Sequence, residues 1–170
     1  MRIDVKRPFP FFVYGTLLPD QPNAYLWQND VTHWAKARFS GGILYDMGHY
    51  PMLVEAAGQT VQGMVAFVRP KAYVAVCHRL DGLEGYNPED PDNCAYRRVL
   101  REVQLENGRF CQAWLYVGGK QYVRSKPAIP SGDWAEWVQH KRQQLNSWWQ
   151  GIHTVANLLR PDLPENSDNE

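Results

Sequence analysis

The sequence is poor in the features that mark several large functional classes. Its 170 residues include only three cysteines, Cys77, Cys94 and Cys111, each 17 positions from the next. No CxxC pair occurs, and an odd count at that spacing gives neither a disulfide framework nor a zinc ribbon. Three reduced thiols in a reducing compartment are the expectation. The five histidines, His33, His49, His78, His140 and His153, show no HxxxH or HExxH spacing, so no metal site is expected. Charge of one sign is also lacking: 18 basic residues face 18 acidic ones, with no run of five like charges. That balance argues against a surface that tracks phosphates, and so against a nucleic-acid partner.

Long apolar runs are missing too. Nothing approaches the ~20 residues that span a bilayer. The segment from Met1 to Gly15 carries Asp4 and Lys6, and prolines break its apolar run. It therefore lacks the ~7–15-residue core of a signal peptide. A soluble, cytoplasmic protein without a membrane partner is expected. The strings GxSxG, GxGxxG and GxxxxGKS are absent, and no internal repeat at solenoid periods is visible.

What is present is enough for a core. Hydrophobic residues make up 44% of the chain, which suits one α+β domain over residues 1–160. Residues 161–170 are polar and acidic and are expected to be disordered. Phe11-Phe12-Val13-Tyr14 reads as a buried first strand that stops at Gly15. Asn23 is placed to cap a short helix through Trp27. A β-like pattern runs from Thr32 to Met47, broken at Gly41-Gly42, and the run from Gly48 to Pro51 marks a turn. Val61, Gly63, Val65 and Phe67 alternate with their neighbours as a strand does, and Pro70 ends that strand.

Lys71 to Leu83 reads as a helix stopped by Gly85. Tyr73, Val76, Cys77, Leu80, Leu83 and Glu84 fall at spacings of three and four, on one face. Tyr96 to Leu105 and Phe110 to Val117 read as strands joined at Asn107-Gly108, a type I′ hairpin signal. A tryptophan-rich helix follows over 131–149, capped by Ser131, with Asp133 in its first turn. Its stripe of Trp134, Trp137, Val138, Leu145, Trp148 and Trp149 has the period of a buried face, against the sheet or a second subunit. A second short helix to Leu159 is the expectation beyond it.

Two features carry chemical interest. At Tyr14-Gly15-Thr16-Leu17 a strand gives way to glycine, which exposes consecutive backbone N–H groups that can cradle an anion or a carbonyl. An ordinary bend has the same sequence. Glu84 continues the apolar stripe of its helix and so points inward. Burial raises the pKa of a carboxylate and suits it to general acid–base work. The other reading of an inward glutamate is an ion pair with Arg97 or Arg98. Asp81, on the same helix, reads as a surface or capping residue, with a second carboxylate for the chemistry as the other reading.

In order along the chain, five segments resemble the γ-glutamylcyclotransferase-like family, which includes the AIG2-like domain and γ-glutamylamine cyclotransferase. They are Tyr14-Gly15-Thr16-Leu17, Gly42-Ile43-Leu44-Tyr45-Asp46 with Tyr50-Pro51, Val61-Gln62-Gly63, Leu80 to Tyr86, and Tyr96-Arg97-Arg98. The resemblance covers about 11–117. It implies a small, mostly antiparallel or mixed β-barrel-like sheet with packed helices. It also implies that Tyr14, Gly15, Thr16 and Leu17 bind the glutamyl part of a substrate and that Glu84 is the catalytic proton carrier. The implied reaction is intramolecular: the α-amine of a γ-glutamyl amide or amine attacks its own γ-carbonyl, releasing an amine and 5-oxoproline. No metal or organic cofactor is implied. The Tyr-Gly-Thr-Leu form of the loop, rather than Tyr-Gly-Ser-Asn, points to the branch that acts on γ-glutamyl amines or other amides and leaves the leaving group open. Two alternatives use the same residues: a non-catalytic small-ligand-binding or protein-interaction domain of this fold, and an amide hydrolase in which Glu84 activates water.

Overall fold

Aromatic and β-branched runs separated by proline and glycine build five strands. A computed structural model describes residues 8–158, the last ten of them by backbone alone. The strands are β1 (Phe11–Val13), β2 (Val31–Asp46), β3 (Pro51–Val68), β4 (Tyr96–Leu105) and β5 (Phe110–Gly118). They close into a barrel in the order β1-β3-β2-β4-β5. Every pairing is antiparallel except the closure of β1 onto β5. Two α-helices complete the chain, α1 (Tyr73–Glu84) and α2 (Trp134–Leu158). The chain divides into two compact units, with the boundary after Trp134.

The barrel strands alternate between two buried environments. Phe12, Phe39, Val61, Val65, Ala113 and Leu115 form one set, facing the barrel interior. Phe11, Val13, Ala66, Val68 and Tyr116 belong to the other and share a cluster with Tyr73, Val76, Cys77 and Leu80 of α1. Burying each large apolar side chain stabilises the fold by about 1.5–3 kcal/mol, which fixes α1 on the outer face of the sheet. A short 3-10 turn at Pro70–Ala72 leads into α1. Gly85 ends it in the left-handed conformation, at φ 64°.

Several details differ from the sequence reading. β3 begins at Pro51, so β2 and β3 form one long hairpin, with an irregularity between Ser40 and Gly42. Gly108 has φ 83° but Asn107 does not have positive φ, so the β4–β5 turn is not type I′. Gly108 N–H instead donates to the Leu105 carbonyl, as in the three-residue loop with a left-handed glycine. Asn23 precedes a 3-10 turn, Ala24–Leu26, and makes no side-chain cap. α2 starts at Trp134, so Asp133 lies before its first turn, and the Ser131 hydroxyl accepts from the Asp133 N–H at 3.3 Å.

α2 is continuous to Leu158, so among the described residues the stretch expected as a second short helix is part of it. Of the tryptophan stripe, Trp134, the last residue of the first unit, is buried, at 2% exposed. The side chain of Trp149 and the tail 161–170 lie outside the described residues. Cys77, Cys94 and Cys111 are free thiols. Among the described residues, no helix is long and apolar enough to cross a membrane.

Candidate active site

The site sits where β1 ends and α1 ends. The turn after β1 closes with Leu18 N–H donating to the Gly15 carbonyl at 3.1 Å. Asn23 holds the turn from the other side. Its backbone N–H donates to the Thr16 carbonyl at 2.9 Å, and its side-chain amide donates to the Thr16 hydroxyl at 3.0 Å. The Trp27 indole donates to the Leu17 carbonyl at 3.1 Å. These bonds use the carbonyls of the turn. The backbone N–H groups of Gly15, Thr16 and Leu17 donate to no acceptor among the described residues. Gly15 is required by close approach: a Cβ there would meet Pro51 Cγ at 2.6 Å.

A cavity of about 440 Å³ opens at this turn. Tyr14, Gly15, Thr16, Leu17 and Glu84 all line it. Both regions singled out in the sequence therefore share one cavity. Tyr50, Leu83, Tyr96 and Tyr116 are also in its wall. Leu83 is 38% exposed, so it lies at the edge of the helical stripe rather than in the core.

Glu84 is the last residue of α1, half-buried, and pairs with no cation among the described residues. Burial raises its pKa from 4.5 to about 7. The carbonyl end of a helix carries partial negative charge and gives the carboxylate no compensation. Neither arginine considered as its partner takes that role. Arg97 lies 3.8 Å from Asp92, and Arg98 lies 3.4 Å from Asp81.

Asp81 corrects the sequence reading. It is buried rather than on the surface, because β4 and β5 bring partners to it. The Tyr116 hydroxyl donates to Asp81 Oδ1 at 2.7 Å. Burial pushes the Asp81 carboxyl up, while the Tyr116 hydroxyl and the Arg98 guanidinium pull it down. Arg98 is itself buried and lies over the Trp114 ring, 5.0 Å from its centroid. The network reaches the cavity through Tyr116, whose backbone carbonyl accepts from the Tyr14 hydroxyl at 2.6 Å.

Sequence reasoning did not single out Tyr96 and Tyr116 as wall residues. The signal for Tyr116 is its place in β5, between inward Leu115 and Val117, on the face that meets α1. Tyr96 is the first residue of β4, and its hydroxyl donates to the Pro51 carbonyl at 2.9 Å. Burial raises the pKa of both Tyr14 and Tyr96, so both phenols stay neutral at physiological pH.

Residues 11–136 match the family described as "Gamma-glutamyl cyclotransferase, AIG2-like". The chain belongs to this family. It is 36% identical over 103 residues to a protein of Halalkalibacterium halodurans named "Putative gamma-glutamylcyclotransferase BH1612", covering 59% of this chain and 85% of that one. The fold is similar to that of YkqA from Bacillus subtilis, with a TM-score of 0.60 at 23% identity. That match covers 79% of this chain, which spans 42% of the longer YkqA chain. The ytfP protein of Escherichia coli matches with a TM-score of 0.52 at 31% identity, over 74% of this chain and 96% of its own. The small α+β barrel is thus a fold this chain shares with these solved structures.

Proposed function

We propose that the chain is a cyclotransferase that converts a γ-glutamyl amide or amine into 5-oxoproline and a free amine. The observation that carries this reading is Glu84, a carboxylate without a cationic partner among the described residues, lining the same cavity as the Gly15–Leu17 turn with its unbonded N–H groups. Family membership and the name of the Halalkalibacterium relative support it.

The chemistry needs little beyond these parts. Nucleophile and electrophile belong to one molecule, so binding in a folded pose supplies much of the rate enhancement. The α-ammonium must lose a proton before its nitrogen can attack the γ-carbonyl carbon. A carboxylate with a pKa near 7 can take that proton. The new C–N bond closes the five-membered ring and puts negative charge on the γ-oxygen. The old C–N bond breaks as its nitrogen is protonated. By the end the attacking nitrogen has lost two protons and the departing amine has gained two, and Glu84 relays them. The unpaired N–H groups of the turn are donors for the substrate carboxylate or the developing oxyanion.

The wall also bears on the leaving group. No lysine, arginine or histidine lines the cavity among the described residues. A departing amino acid would bring a second carboxylate with no cation to meet it, so a simple amine fits better. The test is to incubate the protein with a panel of γ-glutamyl amides and identify the product. 5-Oxoproline supports the proposal. Free glutamate makes the protein an amide hydrolase. Binding without turnover makes it a ligand-binding domain.

A further inference from the structure

The cavity wall holds both donors and acceptors, and the acceptors depend on where the phenol protons go. A tyrosine hydroxyl has one proton to donate and lone pairs to accept. Tyr14 spends its proton on the Tyr116 carbonyl at 2.6 Å, and Tyr96 spends its own on the Pro51 carbonyl at 2.9 Å. Both bonds are buried, and both residues line the cavity. With its proton committed to the backbone, the Tyr96 oxygen can only accept from a ligand, whereas the Tyr14 oxygen already takes a hydrogen bond from the Leu53 backbone N–H. Glu84 adds carboxylate oxygens to the same wall, and no basic side chain offsets them among the described residues. Donors share the cavity, in the N–H groups of Gly15, Thr16 and Leu17.

A glutamyl head has the matching polarity, with an α-carboxylate that needs donors and an α-ammonium that needs acceptors. We infer that Tyr96 accepts a hydrogen bond from the substrate α-ammonium and holds it beside Glu84. This rests on the cyclotransferase reading and assigns the substrate amine to a place in that site. It gives Tyr96 a substrate-binding role for the nucleophile. The fixed Tyr96 hydroxyl and Glu84 give the ammonium a choice of acceptors, of which only Glu84 can take a proton at neutral pH. Burial supports this division, since it keeps both phenols neutral while leaving Glu84 near half-ionised at about pH 7.

The test compares γ-glutamyl-n-butylamide with glutaryl-n-butylamide, which lacks only the α-amine. Calorimetry on the Glu84→Gln protein gives both affinities without turnover. A hydrogen bond to a charged group is worth about 10–100-fold, so the amine-bearing ligand should bind at least about 10-fold tighter. Adding Tyr96→Phe should reduce that preference by about 10-fold and leave glutaryl-amide affinity within about threefold. A preference that survives Tyr96→Phe, or an equal loss for both ligands, overturns the assignment. Equal binding of both ligands by the parent protein overturns it without any tyrosine variant. Wild-type turnover of the γ-glutamyl amide with an unchanged preference removes the Tyr96 role alone. Neither binding nor turnover by wild type removes the cyclotransferase reading as well.

Discussion

Glu84→Gln should make the protein more stable at pH 8 and leave that gain absent near pH 4. The folded chain holds Glu84 at a pKa of about 7 against an ordinary 4.5, because burial disfavours the carboxylate. Below pH 4.5 the residue is protonated in folded and unfolded chains alike, and it carries no pH-dependent penalty. Between 4.5 and about 7 only the folded chain keeps the proton, so stability falls as pH rises. Above about 7 both states are ionised and the penalty is complete. At about 1.4 kcal/mol per pH unit, the gap sets a ceiling of about 3 kcal/mol. Glu84 keeps part of its surface in water, so about 1–3 kcal/mol is expected. Glutamine has nearly the same shape and no charge to desolvate. Urea unfolding of both proteins from pH 4 to pH 8, compared at constant m, reads the difference. A difference that is flat with pH, or a variant less stable at pH 8, would refute a buried, unpaired Glu84.

Three further outcomes follow from the site. Asp81→Asn takes the charge partner from buried Arg98. It should cost about 3 kcal/mol in denaturant unfolding, and a loss below 0.5 kcal/mol, on the order of a surface substitution, would contradict the network. Gly15→Ala would push a methyl into the Pro51 ring at 2.6 Å. It should weaken 5-oxoproline binding and destabilise the fold by about 1–3 kcal/mol; unchanged binding and stability would show that the close approach does not matter. The kcat/KM for a γ-glutamyl amide should rise through about pH 7 as Glu84 ionises, and a profile flat from pH 5 to pH 8 would assign the base elsewhere.

The parts of this site that were legible in the sequence are those fixed by local rules. Glu84 follows an apolar stripe and precedes a left-handed glycine, so its inward aim and its place at a helix end are both local facts. The Tyr14–Leu17 turn is legible because a β-prone run meets glycine. Asp81 was misread because nothing near it in sequence reveals Tyr116, 35 positions away, or Arg98 on β4. The same holds for Tyr96, whose partner Pro51 is 45 positions away. The strand start at Pro51 was missed because proline is a poor strand former, and pairing with β2 overrides that preference. The Asn107-Gly108 pair predicted the hairpin correctly but not its turn, since asparagine is also at home at φ < 0.

The central claim is that Glu84 moves the proton in a ring closure. Its most direct test is 5-oxoproline production from a γ-glutamyl amide by wild type and Glu84→Gln under the same conditions, with 5-oxoproline binding measured alongside. General acid–base transfer is typically worth ~10²–10⁴-fold. The kcat should fall by at least that factor, while 5-oxoproline still binds, because the Gly15–Leu17 turn remains intact. A Glu84→Gln protein that produces 5-oxoproline at near the wild-type rate would contradict the account. One that loses binding together with activity would make Glu84 a binding or structural residue instead.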